Sequence, residues 1–358
     1  MISRRALMGT AAATFAAAAT LAVSPRARAA GDLHVLNWQG YGTDEAWALE
    51  AFKKKTGLNV VHDYFNSEQE MLTKLRTSPG AYDVVLINST YTQQASSEGL
   101  IQPIDTSKIS NFGTLLPAMR DSVYLNTGGK TYGIAWVWGM TGIAYNEETL
   151  KPAPTSVEVL WDPKLAGRVC LRDDAIEVVS FAAIATGQDM NHPKDLDKIK
   201  AKLLALKPQV KTFWSSEDEW NKFFAAKQFD VSTYWSGSAA RSKTNSKLPV
   251  GFMIPKEGGI GWFDGLSVAK GAPNADGAAA FIDYMVSPEF YYEWATKIGA
   301  PASANLKANA TLPDGDVGKA IHGDAEAVKR LTYMAPLSDQ ERQAYGDLWS
   351  EVKTELAQ

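Results

Sequence analysis

The sequence predicts an α/β protein built as two lobes, and three observations carry that expectation. Short β-rich runs alternate with amphipathic segments, the alternation resumes in the second half, and 358 residues, 45% hydrophobic, suffice for two ordinary cores. In chain order, residues 33–37 read as a strand, and 44–56 as a helix with Ala46, Leu49 and Phe52 at 3-4 spacing, stopped by Gly57. Residues 58–64 read as a second strand, 68–77 as a helix and 83–87 as a buried strand. Strand, helix, strand is the order of a largely parallel sheet. In the second half, 168–171 and 230–234 are strand-like, while 175–186, 193–206 and 218–227 are helical. The stretch around Gly139–Gly142 is turn-rich and is expected to join the two units.

Residues 1–29 differ in composition from the rest. Ser3-Arg4-Arg5-Ala6-Leu7-Met8 is followed by an Ala-rich apolar run over 9–23, and Ala27-Arg28-Ala29 supplies a small-x-small cleavage pattern. This predicts a bacterial export signal, with Arg4-Arg5 suggesting the twin-arginine route. Removing its four Arg leaves 32 basic and 40 acidic residues from Ala30 onward, a net charge of −8. An acidic exported chain without a Lys/Arg block is expected to meet small solutes, and neither nucleic acid nor anionic lipid. No later run approaches the roughly 18 apolar residues of a membrane span. The single cysteine, Cys170, allows no intramolecular disulfide and reads as a small buried hydrophobe.

In open α/β sheets, ligands bind in the crevice outside the carboxyl ends of the strands. Those ends are rich in aromatics and acids here. Asn37-Trp38 closes the first strand and Asn88-Ser89-Thr90-Tyr91 the third; Arg172-Asp173-Asp174-Ala175-Ile176-Glu177 and Trp235-Ser236-Gly237-Ser238 follow two strands of the second half. Lys256-Glu257-Gly258-Gly259-Ile260-Gly261 leads to Trp262-Phe263-Asp264. Trp38, Tyr91, Trp235 and Trp262 form a candidate box, with Asp174, Glu177 and Asp264 as its charged contacts. An alkylammonium needs apolar walls, ring faces for cation–π attraction of about 0.5–2 kcal/mol, and carboxylates for its desolvated charge. Each feature also has an ordinary reading: a Trp as core packing, Asp173-Asp174 as a helix N-cap, Glu177 as a capping-box residue. Asp264, between Phe263 and Gly265 in an apolar run, is harder to explain that way.

In order and spacing, several segments together resemble the periplasmic polyamine-binding proteins of ABC importers, the spermidine and putrescine receptors. They are Asn37-Trp38, Ala81-Tyr82-Asp83-Val84-Val85, Ser89-Thr90-Tyr91, Trp138-Gly139-Met140-Thr141-Gly142-Ile143, Asp173-Asp174-Ala175 with Glu177, Trp235-Ser236-Gly237-Ser238 and Pro255-Lys256-Glu257-Gly258-Gly259-Ile260. The resemblance covers nearly the whole mature chain. It implies an α/β, two-lobed type II periplasmic binding protein fold with a hinge and an interlobe ligand cleft. One lobe is expected to hold residues 30–138 plus 263–308 and the other 139–262 plus 309–358, hinged near 138–142 and 260–264. It further implies a monomer in the periplasm, a membrane permease and an ATPase as partners, and neither cofactor nor metal. Its aromatic contacts fall on Trp38, Tyr91, Trp235 and Trp262, and its amine-binding acids on Asp174, Glu177 and Asp264. Two positions depart from the pattern: Gly40 stands where the polyamine receptors carry an acid, and Ala300 where the spermidine receptors carry a Tyr.

Arg241, in the first turn after Trp235-Ser236-Gly237-Ser238, adds a planar guanidinium suited to bidentate capture of a carboxylate. With an acid lost and an Arg gained, an ω-amino acid fits: its ammonium on Asp264, its carboxylate on Arg241, with Arg172 as a weaker candidate. Some members of the family look like γ-aminobutyrate receptors of this kind. The sequence therefore favours γ-aminobutyrate, with putrescine close behind and a spermidine/putrescine receptor proper as the alternative. The ordinary reading of Arg241 is a solvated helix residue or a partner of Glu177. A secreted hydrolase using the same acids is disfavoured: His34, His62, His192 and His322 show no metal spacing, and no Gly-x-Ser-x-Gly elbow is present. A chemosensory binding protein would share the fold.

Overall fold

The computed structural model describes residues 32–357; the export segment lies outside them. Twelve strands form one sheet, whose path runs Asn59–Tyr64, Asp32–Asn37, Val84–Asn88, Gly259–Ala269, Ile134–Asn146, Val231–Trp235, Val169–Arg172, Val210–Trp214. The two flanks are parallel, as expected from the strand-helix-strand order. The centre is not: Gly259–Ala269 runs antiparallel to Val84–Asn88 and to Ile134–Asn146, and the latter antiparallel to Val231–Trp235. The sheet is therefore mixed.

Ile134–Asn146 corrects a second expectation. The stretch around Gly139–Gly142 lies inside this 13-residue strand and makes no turn. Its glycines serve close packing: a Cβ on Gly139 would run into the Trp262 indole, and one on Gly142 into the Met253 carbonyl oxygen.

The apolar residues divide along these two central strands. Ile134 to Met140 and Phe263 to Ala269 pack with the strands and helices of the first half and with the helix Ala275–Met285, around Leu33, Phe52, Val84 and Phe281. Ile143 and Ile260 pack instead with Val179, Ile199, Leu348 and Val352, and Ala144 joins a smaller aromatic core with Trp214, Trp220, Tyr234 and the buried Cys170. Two cores on one shared pair of strands give two lobes. Leu312 and Ala327 pack in the first core, further along the chain than the crossing at 308 that the sequence suggests.

Candidate ligand-binding site

Register places three of the predicted residues, Trp235, Trp262 and Asp264, on one surface. Side chains two apart on a strand, and those paired across neighbouring strands, share a face. Ile260, Trp262 and Asp264 are two apart; Asp264 pairs with Asn88, Trp262 with Gly139, and Ile260 with Thr141, which pairs in turn with Trp235. Trp235, Trp262, Asn88 and Asp264 thus line one face of the sheet where the two cores meet. A register shift between Asp264 and Gly265 marks a bulge at the acid.

At the first pole, Asp264 is 7% exposed and accepts from the Tyr41 hydroxyl at 2.9 Å and from Asn88 Nδ2 at 2.8 Å. Burial pushes its pKa up to about 6, against the two hydrogen bonds that lower it. Among the described residues no Lys or Arg pairs with it. Glu68 stands beside it, pushed up to about 8 by burial and then by the charge of Asp264. Tyr41 and Glu68 were not singled out in the sequence: a Tyr three residues after Trp38 carries no motif, and an acid opening a helix looks like dipole compensation.

At the second pole, Asp174 does cap its helix, accepting from the Glu177 N–H at 2.9 Å. Its other oxygen lies 3.4 Å from Arg172 Nη2, and Arg172 Nη1 donates to Glu177 Oε2 at 3.0 Å. The Arg172 guanidinium also lies over the Trp235 ring, 4.6 Å from its centroid. Two carboxylates thus share one cation, and Glu177 Oε1 is buried with no hydrogen-bond partner among the described residues.

Arg241 does not offer the free fork expected of it. Its Nε donates to Glu217 Oε1 at 2.9 Å and its Nη2 to Glu217 Oε2 and to Ser238 Oγ. The partner is Glu217, not Glu177. Tyr91 presents its ring to the Arg342 guanidinium at 5.3 Å and its hydroxyl to Gln69, while its pKa feels Asp174 across the cleft. Trp38 is half-buried and meets Phe65 edge-on at 4.6 Å. Trp262 packs on Gly139, its indole N–H buried and without a partner among the described residues. No cluster of three or more metal-ligating side chains occurs among the described residues.

A two-lobed α/β frame whose lobes meet at an aromatic and acidic surface defines a solute receptor. The chain belongs to the family of bacterial extracellular solute-binding proteins, which it matches over residues 47–321. The spermidine/putrescine-binding periplasmic protein of Escherichia coli (strain K12) is 34% identical over 321 residues, 87% of this chain and 90% of its own length. The putrescine-binding periplasmic protein SpuD of Pseudomonas aeruginosa (strain UCBPP-PA14) is 28% identical over 343 residues, 90% of this chain and 92% of that one. The crystal structure of the spermidine/putrescine ABC transporter substrate-binding protein PotD from Streptococcus pneumoniae superposes with a TM-score of 0.79 at 26% identity, covering 91% of this chain and 99% of that one. The chain is thus a substrate-binding protein of the ABC-transporter type, periplasmic like its relatives, which takes up a small molecule and works with a membrane permease. It is a binding protein rather than an enzyme. No helix among the described residues is long and apolar enough to cross a membrane.

Proposed function

We propose that this protein captures a short linear diamine of the putrescine class. One ammonium lies against Asp264 and the other toward Glu177 and Asp174. The observation that carries the reading is Asp264 itself: a carboxylate, 7% exposed, held by two neutral donors and by no cation among the described residues, calls for a positive charge from a ligand. Trp262 and Trp235, on the same sheet face, would flank the methylenes between the poles. Trp38 and Tyr91 would border the same space. γ-Aminobutyrate is less favoured on this geometry, because the guanidinium its carboxylate would need is occupied by Glu217. In this reading the lobes pivot where the central strands pass from one core to the other, between Met140 and Ile143 and between Ile260 and Phe263. A ligand touching both lobes shifts the population to the closed form.

Titration calorimetry of the mature protein, unfolded and refolded to strip carried ligand, tests this against putrescine, γ-aminobutyrate, spermidine and a neutral sugar. Putrescine is expected to bind and γ-aminobutyrate to give no heat. Asp264→Asn is expected to cost about 2–4 kcal/mol of putrescine affinity, roughly 30- to 1,000-fold, since the ammonium stays buried without its counter-charge. Preference for γ-aminobutyrate, or unchanged affinity in Asp264→Asn, overturns the reading.

A further inference from the structure

Glu68 opens the helix Glu68–Thr77, where an acid needs no explanation beyond the helix dipole. Its contacts ask for more. Its Oε1 accepts the Asn88 backbone N–H at 3.3 Å, and the side-chain amide of the same Asn88 donates to Asp264 Oδ1 at 2.8 Å. Two carboxylates therefore bracket one residue at the end of Val84–Asn88. Glu68 Oε2 is shut off from solvent and has no hydrogen-bond partner among the described residues. Glu70, on the same helix, shows the contrasting case, with a 38% exposed side chain that pairs with Lys74 and accepts from Asn66.

The titratable groups facing Glu68 are Asp264 from Gly259–Ala269, Tyr41 from the segment after Asp32–Asn37, and Tyr91 from Ser89–Ser97. Two guanidiniums border them. Arg241 is bonded to Glu217, and Arg342 to Asp339 and the Tyr91 ring. Neither forms an ion pair with Glu68 or Asp264.

Asp264, buried, and Glu68, half-buried with one oxygen shut off from solvent, meet on one residue with no cation between them among the described residues. Such a pair does not stay fully ionised, and shares a proton until a positive charge arrives. We infer that Glu68 and Asp264 together form the ammonium seat, and that capture of a primary amine there expels one proton to solvent. The ammonium arrives protonated and keeps its own protons. The proton that leaves is the one the two carboxylates shared, so charge balances. The directions of the two pKa values agree, Glu68 pushed up to about 8 and Asp264 to about 6. Because the empty seat holds a proton between these values and the filled one does not, affinity rises with pH across that window, approaching tenfold per unit. The inference rests on the amine reading above and adds a residue and a proton to it.

Calorimetry with putrescine at pH 7, in phosphate and in Tris, reads the proton directly through the difference in buffer ionisation heat. The wild-type protein is expected to release close to one proton per putrescine. Glu68→Gln is expected to bind putrescine with almost no release, and with an affinity nearly flat from pH 6 to 8. No release in the wild type, or undiminished release in Glu68→Gln, overturns the inference while leaving the amine reading standing. Failure of the wild type to bind putrescine takes both down. A readout that needs no variant is the infrared spectrum of the empty protein, where a protonated carboxyl band is expected at pH 7 and should vanish on adding putrescine. Its absence is equally fatal.

Discussion

Arg241 carries a full guanidinium charge beside the site, yet its bonding edge is filled. A planar fork and a carboxylate satisfy each other through two parallel hydrogen bonds, and Glu217 supplies that carboxylate. Burial works to raise the Glu217 pKa, but Arg241 holds it below the usual carboxylate range. Gly299 leaves room for the arrangement, since a Cβ there would meet the Arg241 stem. Arg241→Ala would strand the Glu217 charge, and with side chains 24% and 27% exposed the expected cost is about 1–2 kcal/mol of stability. Putrescine affinity is expected to stay within a few-fold. Thermal melting and calorimetry check both, and a tenfold or larger loss of putrescine binding with unchanged melting would place Arg241 against the ligand. The contrast with Asp264 shows what the sequence could supply. An acid inside an apolar strand is conspicuous on its own, whereas the meaning of Arg241 depends on a partner 24 positions away on another element. Glu68 stayed hidden for the opposite reason, being ordinary for a helix start.

Elements with their own period were legible: the helix Glu68–Thr77 and the strands of the first flank fall within a residue or so of the periodicity. Ile134–Asn146 was not. Covered on both faces, it shows no alternation, and its glycines look like punctuation. A short helix braces this strand. His322 ends Val317–His322; its Nδ1 lies 2.8 Å from the Gly318 carbonyl and so carries the proton, while Nε2 accepts from the Ser236 hydroxyl at 2.8 Å. Ser236 Oγ in turn accepts the Met140 N–H at 3.0 Å. Burial lowers the His322 pKa to about 4. The folded protein therefore refuses a proton that the unfolded chain takes near pH 6.5, so stability falls as pH drops from about 6.5 to 4, by up to about 3 kcal/mol. His322→Gln is expected to be less stable than wild type at pH 7 but to lose less over that window. Denaturant midpoints at pH 7 and pH 4.5 measure the difference. Comparing the two proteins isolates His322 from Glu68 and Asp264, whose raised values act in the opposite direction. Equal losses in both would remove His322 from the account.

In the proposed mechanism, the balance between open and closed states is set across the whole molecule by whatever the lobes touch when they meet, and one such contact lies beside the proposed ligand poles. Arg342 lies on Asp339–Leu356, a helix anchored in the second core by Leu348, Trp349 and Val352. Its guanidinium lies 5.3 Å from the ring centroid of Tyr91, on the helix that follows Val84–Asn88 in the first lobe. Arg342 is also paired with Asp339, whose charge is felt by Arg76 on the first lobe's Glu68–Thr77 helix. A cation–π contact of this kind contributes about 0.5–2 kcal/mol, and because it joins an element of one lobe to an element of the other, parting the lobes would break it. Since apparent affinity is intrinsic affinity scaled by the closed population, Arg342→Ala should weaken binding by some 2- to 30-fold, mostly through faster dissociation. The factor should be the same for putrescine and for any other amine that binds, because the deleted group acts on closure and not on the ligand. Stopped-flow dissociation rates and calorimetry for two amines test this. A factor that differs between them by tenfold would mean that Arg342 touches the ligand and does not act through closure alone.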